Sequence, residues 1–137
     1  MWKRKQLIFA IAMILAYLLT GCFRSLPRAP SSADSDTAHS LFVLQRVIES
    51  LLEKNVDLGQ IQTFDDLLNA ALVNEICDAD EVKSLGKDGW GDSWRFSKTT
   101  NDGNTFLSII TTPSRQKMSI GLHMIINKKN VVRSEIK

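Results

Sequence analysis

The chain has 137 residues, 44% of them hydrophobic, with 17 Lys and Arg against 15 Asp and Glu and a formal net charge of +2. That length accommodates one domain with one modest core and excludes a second. Three of the cations, Lys3, Arg4 and Lys5, lie in the first five residues. A charge so near balance gives no electrostatic footprint for nucleic acid.

The cations precede an apolar stretch from Leu7 to Leu19, which is the order of a charged n-region and an h-region. Thirteen residues fall short of the roughly 20 that span a bilayer as a helix. The stretch ends in Leu19-Thr20-Gly21-Cys22. This segment resembles the bacterial lipoprotein signal peptide, whose lipobox reads Leu, a small or β-branched residue, Gly or Ala, then Cys. The resemblance implies that Leu19, Thr20 and Gly21 are read by the signal peptidase and that residues 1–21 are removed. Cys22 then becomes a triacylated N-terminus, more than the two signals that durable anchoring takes. Phe23 stands where an Asp signals inner-membrane retention in enterobacterial lipoproteins, so the periplasmic face of the outer membrane is the expected address.

Residues 24–39 are rich in Ser, Ala, Pro and Asp without an apolar period, which predicts a flexible tether after the lipidated Cys22. Its mean reach would be roughly 20 to 25 Å. Without residues 1–21, the chain holds 14 basic and 15 acidic side chains, and the charge is unevenly spread. Residues 34–92 carry 13 acidic and 4 basic side chains, residues 93–137 carry 2 and 8. That pattern suits internal complementarity between the halves of a single domain over residues 40–137.

Within that domain Leu41, Leu44, Val47, Ile48, Leu51 and Leu52 recur at three- and four-residue spacing, the stripe of an amphipathic helix. Thr37 or Ser40 can cap its start, and residues 55–59 end it. Thr63 followed by Asp65 and Asp66 signals a second helix, expected over Phe64 to Cys77. Cys77 reads as a buried small hydrophobe. After Gly86 the period changes to strands: Trp94 to Phe96, then Thr105 to Thr111, joined by Asn101-Asp102-Gly103-Asn104, which suits a tight hairpin turn. Met118, Ile120, Leu122, Met124 and Ile126 share one face of a further strand. A turn at residues 127–130 leads to a last strand from Val131 to Ile136. The expected fold is α+β, with an amphipathic helix and a short second helix packed on an antiparallel β-meander.

Between helices and strands stands Lys87-Asp88-Gly89-Trp90-Gly91-Asp92-Ser93-Trp94. Asp88 and Asp92 can bond turn amides, and the indoles of Trp90 and Trp94 are expected in the core. This segment resembles the Asp-Pro-Trp-Gly-Asn-Pro-Tyr signature of the type II secretion major pseudopilin, which opens a C-terminal β-meander after a long helix and a helical loop. Asp88, Trp90 and Gly91 match directly, Trp94 replaces Tyr and Asp92 replaces Asn. The likeness extends over about residues 40–112 and implies a pseudopilin-like domain. Gly89 and Ser93 replace the family's prolines, which is expected to loosen the turn. The family's calcium loop would fall at residues 111–117, which hold no carboxylate and so offer a hard cation little. Pseudopilins polymerise through a retained apolar helix, whereas here that helix precedes Cys22 and would be discarded.

Sites of chemistry are not expected. His39 and His123 lack Cys, Asp or Glu partners at metal-ligand spacing. Asp78-Ala79-Asp80-Glu81 lacks the glycine and distal glutamate of a calcium loop. Ser93 and Ser108 have no nucleophile-elbow glycines. The expectation is a non-enzymatic, membrane-anchored periplasmic lipoprotein without cofactor, metal or nucleic acid, working through an envelope protein partner related to type II secretion. The alternative is a cation- or small-ligand-binding lipoprotein using residues 78–92.

Overall fold

The computed structural model describes residues 32–112 and 119–137. The Leu19–Cys22 segment, Met118 and most of residues 111–117 lie outside the described residues. The elements are α1 (Ser32–Glu53), a 3-10 turn (Leu58–Gln60), α2 (Phe64–Val73), α3 (Ala79–Leu85), β1 (Trp94–Asn101), β2 (Asn104–Thr111), β3 (Gly121–Asn127) and β4 (Asn130–Ile136). Among the described residues, three helices and a four-stranded antiparallel sheet of order β1-β2-β3-β4 make the chain an α+β protein.

The apolar stripe of α1 is the centre of the core. Leu41, Leu44, Ile48 and Leu51 are fully buried against the inward side chains of the sheet, where Leu107, Ile109, Leu122, Met124 and Ile126 are equally enclosed. The helix closes in a Schellman motif. Asn55 turns left-handed at φ 60°, its N–H reaches Leu52 O at 3.0 Å, and Val56 N–H reaches Leu51 O at 3.0 Å.

Two boundaries differ from expectation. Helix α1 begins at Ser32 rather than Ser40, so eight residues expected in the tether, His39 among them, are helical. The roughly two turns they add are anchored by Thr37, which is buried. The second difference is that the helix predicted from Phe64 to Cys77 stops at Val73, and a further helix, not predicted, follows at Ala79–Leu85. Glu75 goes left-handed at φ 56°, and Ile76 N–H bonds Ala71 O at 2.9 Å, another Schellman ending. Asp78 then starts α3 with a capping box. Its Oδ1 accepts from Glu81 N at 2.8 Å, and Glu81 Oε2 accepts from Asp78 N at 2.9 Å. The acidic run is thus a helix start.

A matching box starts α2. Thr63 Oγ1 accepts from Asp66 N at 3.1 Å, while Asp66 Oδ2 accepts from Thr63 N at 2.9 Å and Gln62 N at 3.0 Å. The Gln62 amide foremost, then the Thr63 hydroxyl and amide, hold the Asp66 carboxyl below the ordinary carboxylate range. Glu135 is lowered too, by Lys137 first and then Arg133. A carboxyl depressed in the fold contributes stability above its unfolded titration and loses it as pH falls through the folded value. The urea midpoint should therefore decline below about pH 4, and Asp66→Asn should flatten that decline. A midpoint equally acid-sensitive in the variant would remove Asp66 from the account.

The β1–β2 connection is the tight turn that the sequence suggests, with Asp102 at φ 51° and Gly103 at φ 78°. The full pairing runs from Trp94↔Thr111 to Asn101↔Asn104. One sheet face meets the helices. The other carries exposed Arg95, Ser97, Thr99 and Phe106, with Ser108, His123 and Ile125 half-buried.

Candidate functional site

The loop from α3 to β1 is organised by Asp88. Its backbone N–H donates to Asp92 O at 2.9 Å and its carbonyl accepts from Gly91 N at 3.0 Å. Its Oδ1 accepts from both Trp90 N and Asp92 N at 2.9 Å. Four bonds from one residue close the turn, and Gly91 supplies the left-handed step at φ 83°. The carboxylate is buried, and Oδ2 has no hydrogen-bond partner among the described residues.

Gly89 fastens this loop to α1. Its N–H donates to Thr37 Oγ1 at 2.8 Å across 52 residues of sequence. A Cβ here would run into the Ala33 carbonyl and lie 2.7 Å from Thr37 Oγ1. The glycine therefore does not loosen the turn, as its replacement of proline suggested. It permits close contact with the helix, and it donates the N–H that a proline lacks.

The two tryptophans divide differently from the expectation that both are core. Trp94 is buried, its Nε1 donates to Leu85 O at 2.9 Å, and its ring meets Phe64 at 6.3 Å, tilted 46°. It ties the start of β1 to the end of α3 and the start of α2. Trp90 is only half-buried and stands outside the buried cluster. Asp88, Gly91 and Trp94 are thus joined in one joint between helices and sheet.

Cys77 is buried as the sequence suggests. Burial foremost, then Glu81 and Asp78, pushes its thiol above the ordinary range, which disfavours the reactive thiolate. Among the described residues no three His, Cys, Asp or Glu side chains converge as a metal site.

A second arrangement was invisible in the sequence. Strand register aligns Ser97, Ser108, His123 and Glu135 across the open face of all four strands. Ser108 Oγ and His123 Nδ1 are 2.7 Å apart. A hollow of about 340 Å³ lies over Ser108, His123 and Glu135, edged by Phe106 and Ile125. Glu135, however, is held by Lys137 at 2.7 Å and Arg133 at 2.9 Å. No described hydrogen bond joins it to His123, so the base lacks the orienting carboxylate of a hydrolytic triad. Neither histidine signalled this, because the pairing depends on strands 15 residues apart in sequence.

Comparison of the chain with protein-family models, with curated proteins and with solved structures returns no match. Among the described residues no helix is long and apolar enough to cross a membrane.

Proposed function

We propose that this chain is a non-enzymatic lipoprotein, acylated at Cys22 and held at the periplasmic face of the outer membrane, whose pseudopilin-like α+β domain engages an envelope protein partner. The observation that carries the reading is the lipobox Leu19-Thr20-Gly21-Cys22 at the end of an apolar run too short to span a bilayer. The partner class rests on the order of elements around Asp88-Gly89-Trp90-Gly91, an argument by analogy of fold. Nine residues separate Cys22 from the start of α1. Even fully extended, that connection spans no more than about 35 Å, so an anchor at Cys22 would keep the domain close to the bilayer.

For the cation-binding alternative at residues 78–92 there is one buried carboxylate oxygen without a partner among the described residues, Asp88 Oδ2, where a hard cation takes several oxygen ligands. Asp78 and Glu81 are engaged in the capping box, and Asp88 Oδ1 closes the turn.

Cys22→Ser is expected to abolish incorporation of labelled fatty acid and to leave residues 1–21 attached, read by intact mass. The variant domain should still give the wild-type thermal midpoint. Cross-linking in cells from the open sheet face, at Thr99 for example, should capture an envelope protein in the wild type. Unchanged acylation in Cys22→Ser defeats the anchor, and failure to capture any envelope protein defeats the interaction reading.

A further inference from the structure

We infer that the hollow between the 3-10 turn and the tips of the two hairpins binds a small multivalent oxyanion, a molecule carrying two or more phosphate or carboxylate groups. The hollow measures about 410 Å³. Leu52, Val56 and Leu58 contribute its apolar lining, and Lys98, Lys128 and Lys129 converge on it from β1 and the β3–β4 turn. The hydroxyls of Thr100 and Thr105, 3.5 Å apart, line it as well.

The donors exceed the acceptors. Lys98 Nζ gives one hydrogen bond to Leu58 O at 2.6 Å, and Lys129 Nζ gives one to Asn55 Oδ1 at 2.6 Å. Both acceptors are neutral, so neither ammonium is compensated by its partner, and each retains further N–H donors. The carboxylate in the lining is Asp57, whose Oδ1 already accepts from Gly59 N at 2.8 Å. None of the three lysines makes an ion pair among the described residues. Glu49 and Glu53 line an adjoining hollow beside Lys129 and offset part of its charge. Lys98 also feels the Asp66 carboxylate, which it helps to lower, so Lys128 is the least compensated of the three. Lys98, half-buried in the wall, is the most desolvated, and a partly desolvated ammonium attracts an anion more strongly than one in water.

The backbone points the same way. Lys128 is left-handed at φ 55°, a conformation in which Gly or Asn is at ease and a lysine is not. The β1–β2 hairpin meets the same need with Asp102-Gly103. The turn facing the hollow instead has Lys128 and Lys129 at its central positions, and the left-handed Lys128 places charge there at a conformational cost.

The test uses the full-length protein in non-ionic detergent, titrated by calorimetry with pyrophosphate and separately with citrate at constant ionic strength. Saturable one-site binding of at least one probe is expected, with a raised thermal midpoint. The tighter probe identifies the ligand as phosphate-bearing or carboxylate-bearing. Lys128→Gly removes a charge and relaxes the left-handed residue, so it should fold as well as the parent and bind about five- to tenfold more weakly. Lys98→Gln should weaken binding at least as much, and Lys83→Gln on α3, away from the hollow, should leave it unchanged. Absence of saturable binding by both probes overturns the inference. So does an affinity in Lys128→Gly equal to that of the parent.

Discussion

Gly89→Ala is expected to lower the unfolding free energy by about 3 kcal/mol, at the upper end for a single added methyl, because the methyl meets backbone rather than a movable side chain. The Ala33 carbonyl belongs to the helical ladder of α1, and Thr37 Oγ1 is held there as the acceptor of Gly89 N–H. Either the loop retreats and the Thr37 bond breaks, or α1 shifts away from the sheet. For a domain near 100 residues this corresponds to a drop in thermal midpoint of roughly 12 to 20 °C. Gly91→Ala is the comparison within the same loop. A Cβ added at Gly91 would meet nothing within 4 Å, but the residue sits at φ 83°, so the cost is conformational, about 1 to 2 kcal/mol. Equal midpoints for the two variants would show that the close approach of α1 to the loop is not what Gly89 serves.

The second large effect is on the boundary of the domain. A fragment of residues 40–137 should be less stable than one of residues 32–137 by about 2 to 4 kcal/mol, from the lost hydrogen bond to a half-buried amide and the lost helical turns that support it. Thr37 is fully buried and Gly89 N–H has it as partner. Cutting at Ser40 exposes that amide's environment and frees the start of α1 while leaving Leu41 to Leu52 intact. Chemical denaturation of both fragments checks this. Coincident midpoints would return residues 32–39 to the role of a tether.

The stripe from Leu41 to Leu52, the stop at Asn55, the start at Thr63 and the Asp102-Gly103 turn were all readable, because each is written within about ten residues. The capping box Asp78–Glu81 is equally local, and its Asp-x-x-Glu spacing is a helix-start signal that could have placed α3. The extent of α1, by contrast, was hidden. Residues 32–39 have no apolar period, and the bond that ties Thr37 into the fold comes from a loop 52 residues away. Trp90 and Trp94 look alike in the sequence, and the pleat of β1 together with the Leu85 carbonyl selects Trp94 for burial.

Sequence alone therefore determined the α+β class, the succession of helices before strands and the turn chemistry at Asp102-Gly103, since periodicity and capping act over a few neighbouring residues. Tertiary structure alone decided where α1 begins, which tryptophan seals the joint, and that Ser108 faces His123. It also brought Lys98 together with Lys128 and Lys129 beside the 3-10 turn. Those meetings depend on strand register and on the packing of helices over the sheet, which no short stretch of chain encodes.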